Sequence, residues 1–111
     1  MEKEMAFRSD LEALILAALV AGPKHGYGIV KSIRSSSEDV LQLGGAQLYP
    51  VLHRMEEAGQ ITGEWVANEG KPSRKVYSLT GRGTKALEAK RKEWAEFSGA
   101  VNKLMLARGK A

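Results

Sequence analysis

An apolar stripe near the C-terminal end of the chain is longer than a small domain can bury. At alternating steps of three and four residues it runs through Leu87, Lys90, Trp94, Phe97, Val101 and Leu104. This is the spacing of a coiled-coil seam, interrupted only by Lys90. It predicts a helix from about Gly81 to Leu106, which in a chain of 111 residues projects beyond the core. The stripe then needs a partner, and a second copy related by a two-fold axis is the simplest one.

A first helix is predicted close to the start of the chain. Ser9 and Glu12 have the spacing of a capping box, in which each side chain satisfies a backbone N–H group at the start of the helix. Apolar residues then recur at helical spacing over residues 11–19, which directs one stripe towards a core. The pair Gly22-Pro23 ends this helix.

Two more helices are predicted before any strand. The second extends from about Gly26 to Arg34, and the third from about Ala46 to Ala58, where Gly59 provides a left-handed cap. Proline is tolerated only near the first turn of a helix, because it lacks a backbone N–H group. Pro50 therefore implies that the third helix begins no earlier than about Gly45.

A hairpin is predicted between the third helix and the last one. Residues 61–67 and 74–80 are rich in β-branched and aromatic residues, and residues 68–73 have turn composition. Trp65 is expected to pack within this hairpin, which must itself pack on the helices to be stable. The order of elements predicts a mainly α (α+β) winged helix-turn-helix with a two-stranded wing and a long C-terminal dimerisation helix. The expected boundary separates a helix-turn-helix unit, residues 1–80, from the dimerisation helix, residues 81–111.

Composition and spacing exclude several classes of protein. The chain has no cysteine, which removes disulfide scaffolds and cysteine-based metal or nucleophile sites. Its histidines, His25 and His53, are too far apart for a helical metal-ligand pair, and no nucleophile has an elbow or triad pattern. Neither an enzyme, a metal site nor a cofactor is expected. The apolar run over residues 11–21 is too short for a membrane span and follows acidic residues, so a cytoplasmic location without a membrane partner is expected.

Three stretches of the chain resemble the PadR family of bacterial transcriptional regulators. They are residues 22–29 (GPKHGYGI), 48–59 (LYPVLHRMEEAG) and 76–83 (VYSLTGRG). The similarity covers roughly residues 9–105. It implies a homodimer that binds double-stranded DNA, with the third helix in the major groove and the wing at the backbone or minor groove. The single C-terminal helix resembles the short-tailed subgroup, in some members of which a tryptophan holds a flat hydrophobic ligand between the dimer helices.

The outward face of the third helix is the first candidate for DNA contact. Gln47, His53 and Arg54 can bond to base edges or phosphates, and Tyr49 can donate to a phosphate. The alternative is an ordinary solvated face. Basic residues of the hairpin suit phosphate neutralisation or a narrow minor groove, and a soluble turn is again the alternative. These hairpin candidates are Lys71, Arg74 and Lys75, and Lys24 and Tyr27 are further candidates for backbone contact.

Trp94 lies on the predicted seam and has two possible uses. It can simply fill the dimer interface, or it can form an aromatic slot for a small planar hydrophobic effector, with Phe97 and Val101 lining the same surface. The resemblance predicts a homodimeric repressor whose DNA affinity changes when a ligand or partner shifts the dimer helices.

A protein-interaction module is the rival function, because winged helices also serve as docking domains. The distribution of charge separates the two functions. The net charge is +4, but residues 81–111 alone carry eight basic and three acidic residues. The third helix and the wing are therefore only mildly basic, whereas a DNA-binding protein needs its positive surface there.

Overall fold

A computed structural model describes residues 10–109 of the chain. The helices are α1 (Leu11–Ala18), α2 (Gly26–Ser36), α3 (Gly45–Glu57) and α4 (Gly81–Met105), and the strands are β1 (Lys24–His25), β2 (Ile61–Asn68) and β3 (Lys71–Leu79). The predicted order of three helices, hairpin and long helix is confirmed. Both α3 and α4 lie within one residue of their predicted bounds. The fold is the mainly α winged helix that the sequence predicts.

The cap of α1 differs from the predicted one. Asp10 is the N-cap residue, and its Oδ1 atom accepts a hydrogen bond from the backbone N–H of Ala13 at 3.2 Å. It fills the role that the spacing assigned to Ser9, which lies outside the described residues. Aspartate and serine are about equally good caps, so a local pattern does not choose between two such neighbours.

Helices α1, α2 and α3 and the start of β2 meet in one core. Its fully buried side chains are Ile15, Leu16, Ile29, Leu48, Leu52, Met55 and Ile61. The buried side of α3 is formed by Leu48, Val51, Leu52 and Met55, which recur at helical spacing. Burying each such side chain stabilises the fold by about 1.5–3 kcal/mol. The core therefore fixes the rotation of α3 about its axis and leaves its polar face in solvent.

The sheet contains a strand that the sequence analysis did not predict. Strand β3 lies in the middle, with β2 on one side and the two-residue β1 on the other. Within β1, Lys24 lies opposite Tyr77 of β3, and His25 lies opposite Val76. Two residues are too few for a periodic pattern, which is why β1 escaped prediction. Its pairing holds the start of α2 against the wing, the hairpin formed by β2 and β3.

Hydrogen bonds link the end of α3 to the start of α4. Gly59 has a φ of +78°, as expected for the left-handed residue after a helix. The Thr80 hydroxyl donates to the Gly59 carbonyl at 2.6 Å and accepts from the N–H of Gly83 at 3.0 Å, which caps α4. Arg82 donates to the carbonyl of Ala58 at 3.0 Å. The two helices are thus held together at this end.

The first part of α4 belongs to the same core. Leu87, predicted as the first residue of the dimer seam, is instead covered by its own chain and is only 4% exposed. One turn further on, the Lys90 ammonium lies 2.7 Å from Oδ2 of Asp10. Over residues 10–109, no helix combines the length and apolarity that crossing a membrane requires.

Candidate nucleic-acid interface

The solvated face of α3 has two flanks with different surroundings. Tyr49 and His53 lie on the flank that faces the wing. Gln47 and Arg54, seven residues apart and therefore on one line along the helix, lie on the other flank. All of these predicted contact residues except the partly covered ring of Tyr49 are broadly exposed. The predicted face thus exists as one solvated surface with its polar groups directed outward.

Two side chains on this face have local partners. The Oε1 atom of Gln47 accepts a hydrogen bond from the N–H of Gly44 at 3.4 Å, so that its amide group keeps both donors for other partners. The ring of His53 lies 3.4 Å from a carboxylate oxygen of Glu57, one turn along the helix. Glu57 therefore places negative charge on the solvated face, next to His53.

A cavity of about 500 Å³ opens between α3, the start of α2 and the wing, and is called the α3–wing cavity below. It brings together five predicted contact residues from three separate segments, namely Tyr27, Tyr49, His53, Arg74 and Lys75. Six residues that were not predicted as contacts also line it, namely His25, Gly26, Glu56, Trp65, Ser73 and Tyr77. The other predicted contacts, which are Lys24, Gln47, Arg54 and Lys71, do not line it.

Tyr49 closes one side of the cavity by packing against Gly26. A Cβ atom on Gly26 would collide with the hydroxyl and ring of Tyr49, so this close approach requires glycine. At Gly28, by contrast, the nearest atoms would lie 3.4 Å away. Gly26 thus allows tight packing between α2 and α3. The glycine motif at the start of α2 therefore positions a side chain of α3.

Lys75 is held by a carboxylate at the floor of the cavity. Its ammonium lies 2.9 Å from Oε1 of Glu56 on α3, and both side chains are about 70% buried, with exposures of 28% and 29%. The hydrogen bond that Lys75 donates to Glu56 raises the pKa of Lys75 above its ordinary value. Lys75 was predicted to contact phosphate, but much of its charge is compensated within the chain. The pair instead connects the wing to α3.

Arg74 also lines the cavity, and its guanidinium is not paired with a carboxylate of residues 10–109. Within residues 10–109 no ion pair involves it, and its nearest polar contact is Nε2 of His25 at 3.4 Å. Desolvation, and to a smaller extent the charges of Arg74 and Lys31, lower the pKa of His25. His25 is thereby favoured in its neutral form, in which Nε2 can accept a hydrogen bond from the guanidinium.

Tyr27 and Lys31 form an exposed contact with each other on α2. The ammonium of Lys31 lies 5.7 Å from the centre of the Tyr27 ring, and the tyrosine is 64% exposed. Lys31 was not a predicted contact, although its position four residues after Tyr27 places both side chains on one face of α2. It adds a positive charge beside the predicted backbone contacts.

Trp65, which was expected to pack within the wing, contacts a residue of the neighbouring wing strand but is not buried there. Its side chain is 71% exposed. The Lys75 ammonium lies 5.9 Å from its ring centre, and Lys75 is also its register partner in β3. Most residues of β2 beyond Ile61 are exposed, so this part of the strand extends past the core, and composition alone does not show whether its side chains are covered.

The outer part of α4 carries what remains of the predicted seam. The rings of Trp94 and Phe97 lie with their centres 5.9 Å apart at an interplanar angle of 38°. Trp94 is 40% exposed and Leu104 is 83% exposed, while Phe97 and Val101 are half-buried. An apolar surface of this kind at the end of a projecting helix is typical of a protein interface.

Titratable groups in the described part of the chain do not gather as metal ligands. No group of three or more histidine or acidic side chains there could hold a metal ion. The chemistry of the α3–wing surface is instead that of hydrogen-bond donors, exposed aromatic rings and cations, which are the groups that contact nucleic acids.

The greater part of the sequence matches a known family. Residues 15–89 match the profile of the transcriptional regulator PadR-like family. The chain belongs to this family. PadR-family proteins are transcriptional regulators and not enzymes, in agreement with the absence of any catalytic pattern in the sequence. Family membership identifies the chain as a DNA-binding transcriptional regulator.

Individual proteins are also similar to this chain over most of its length. Uncharacterized protein X of Lysinibacillus sphaericus is 31% identical over 100 residues, which are 88% of this chain and 90% of that protein. A transcriptional regulator from Clostridium thermocellum has a structure with a TM-score of 0.80 and 28% identity, over 90% of this chain and 94% of that one. Bacillus subtilis PadR in complex with operator DNA matches with a TM-score of 0.67 and 27% identity, over 73% of this chain and 45% of that one.

Proposed function

We propose that the chain is a homodimeric repressor that binds a pseudo-palindromic operator, with α3 in the major groove and the wing at the adjacent backbone or minor groove. The observation that carries the proposal is the α3–wing surface. There the exposed face of α3 and the cation Arg74 lie on one side of the molecule, around one cavity. The structure of Bacillus subtilis PadR with operator DNA supports the assignment of operator binding to this PadR-family chain.

Each flank of α3 has its own role in this proposal. Gln47 and Arg54, on the flank away from the wing, have hydrogen-bond donors suited to base edges in the major groove. Tyr49, His53, Arg74 and the Tyr27–Lys31 pair bond to phosphates and fix the register of the protein on the duplex. Lys24 and Lys71 neutralise more distant phosphates, while Lys75 contributes mainly through its link to α3.

Dimerisation and release involve the two proposed functional units. Residues 1–80 bind DNA, and the part of α4 that projects beyond the core pairs with its copy through Trp94, Phe97, Val101 and Leu104. The two α3 helices must then reach half-sites about one DNA turn apart. A small planar hydrophobic effector or a protein partner at the paired helices changes that separation. Thr80 and Arg82 connect α4 to the end of α3, so a tilt of α4 reaches the DNA-binding helix. The expected location is the cytoplasm, where bacterial operators lie.

Fluorescence anisotropy with the DNA upstream of the protein's own gene tests operator binding. We expect affinity roughly 10³-fold or more above that for an unrelated duplex, and a steep loss of affinity with salt. Arg54→Ala is expected to weaken binding to the operator more than to the unrelated duplex. Arg74→Ala is expected to weaken binding to both and to reduce the salt dependence by about one phosphate contact.

A matched control removes the same charge from another surface. Arg91 lies on α4 and pairs with Glu88 at 3.2 Å, so Arg91→Ala should retain operator affinity. Equal effects of the three arginine variants would contradict the assignment of the surface. No binding to either duplex at low salt would favour the protein-interaction module, which the charge of residues 81–111 and the Glu56–Lys75 pair support.

A further inference from the structure

Trp65 lies where a large apolar side chain is least expected. It occupies the same face of β2 as Ile61 and Gly63, because alternate residues of a strand point to one side. That face looks towards α3, yet the strand extends beyond the core, and the indole is 71% exposed. Single exposed hydrophobic residues are common on protein surfaces. This one, however, forms a wall of the α3–wing cavity, on the surface that carries the proposed DNA contacts.

The charges of the cavity are arranged unevenly. Its floor is neutral overall, because the Lys75 ammonium is bound by Glu56 and lies between the rings of Trp65 and Tyr77, at 5.9 and 5.7 Å from their centres. Arg74, at the rim of the cavity, is a cation that has no carboxylate partner within residues 10–109. The cavity therefore offers an apolar, aromatic wall and a neutral floor next to one guanidinium.

We propose that the α3–wing cavity receives one strand of the operator backbone, with the Trp65 indole packed on a deoxyribose and Arg74 on the adjoining phosphate. This rests on the proposed function. A strand that leaves the major groove at α3 and reaches the wing has to cross the angle between them. Along that strand, weakly polar sugars alternate with anionic phosphates. One sugar and its adjoining phosphate therefore match the aromatic wall and the guanidinium that lies next to it. A neutral floor suits a sugar better than a phosphate, because it offers no uncompensated positive charge.

A Trp65 variant should differ from variants of the basic contacts in two properties of DNA binding, its sequence dependence and its salt dependence. A sugar carries no sequence information, so Trp65→Ala should weaken binding to the operator and to an unrelated duplex by the same factor, about ten-fold. A contact with an uncharged sugar also releases no counterion. The salt dependence of binding by Trp65→Ala should therefore equal that of the wild type, whereas Arg74→Ala should reduce it. Val66→Ala is the matched control, because Val66 is also exposed but lies on the opposite face of β2.

Fluorine NMR gives a readout from the Trp65 side chain itself, and a variant is needed only to assign its signal. The protein contains two tryptophans, so 5-fluorotryptophan labelling yields two signals, and the one absent from Trp65→Ala belongs to Trp65. We expect this signal to move on addition of operator DNA and to lose its solvent-isotope shift between H₂O and D₂O. Circular dichroism of Trp65→Ala establishes that the variant is folded.

The possible results distinguish this inference from the proposed function. If wild-type protein binds the operator, but Trp65→Ala binds equally well or the Trp65 signal keeps its position and isotope shift, the inference is overturned and the proposed function stands. A wild-type protein that binds neither duplex at low salt overturns both. Protection of the indole together with an equal loss on both duplexes and an unchanged salt dependence supports the backbone contact.

Discussion

The Lys90 ammonium on α4 and the Asp10 carboxylate at the start of α1 form an ion pair of 2.7 Å, in which both side chains are mostly buried. The same carboxylate caps α1 through its other oxygen, which accepts from Ala13. This contact explains the charged interruption of the apolar seam. At Leu87 and Lys90 the stripe faces its own chain, and only beyond Lys90 is it available to a second copy.

Substitutions at Asp10 should separate its two roles. Asp10→Asn retains a capping oxygen and loses the ion pair, so it should lower the free energy of unfolding by about 1–2 kcal/mol. Asp10→Ala loses both and should cost about 1 kcal/mol more. Lys90→Met should lower the free energy of unfolding by about as much as Asp10→Asn, because it also removes the ion pair and leaves the cap. Chemical denaturation of these variants measures the effects, and equal stabilities of Asp10→Asn and Asp10→Ala would show that the cap contributes nothing.

The boundary between core and seam predicts two different outcomes along α4. Trp94→Glu combined with Val101→Glu should yield folded monomers in sedimentation velocity, because charges replace apolar side chains at the proposed interface. Leu87→Ala should instead lower stability by about 2–5 kcal/mol, because it leaves a cavity in the core. A dimer that survives both glutamates would contradict the seam.

Gly26→Ala should affect DNA binding more than stability. The new methyl group displaces Tyr49, whose ring is half-exposed and free to swing into solvent. Loss of one hydrogen bond from Tyr49 to a phosphate corresponds to about five-fold weaker binding. Fluorescence anisotropy measures this effect, and Gly28→Ala is the control, because a methyl group fits there. In a Tyr49→Ala background the Gly26→Ala change should have no additional effect, and an undiminished loss there would refute the link.

His25 should titrate below the ordinary histidine pKa of about 6.5. Desolvation is the main cause, followed by the charges of Arg74 and Lys31, so Arg74→Ala should raise the pKa of His25 part of the way. Below about pH 6.5 the unfolded chain binds this proton more tightly than the folded chain. The stability of the fold should therefore fall as the pH decreases through that window. NMR titration of the ring protons gives the pKa directly, and His25→Gln should remove this part of the pH dependence.

Much of the fold followed from local patterns in the sequence. The buried face of α3 follows from the helical spacing of Leu48, Leu52 and Met55, and the end of that helix was predicted from Gly59. These features are set within one or two turns of a helix, where spacing determines direction and a glycine determines the backbone. The resemblance to PadR-family regulators was likewise contained in short stretches of sequence, and it was confirmed.

The arrangement of the candidate interface was decided by tertiary structure. No local pattern indicates that Glu56 neutralises Lys75, that Tyr49 rests on Gly26, or that Lys90 reaches Asp10. Each of these contacts joins residues from different elements, and its existence depends on the angle at which those elements pack. That angle is set by the whole core at once. The sequence by itself therefore determined which residues α3 and the wing present, and the packing of the core decided which of them meet and which remain open to DNA.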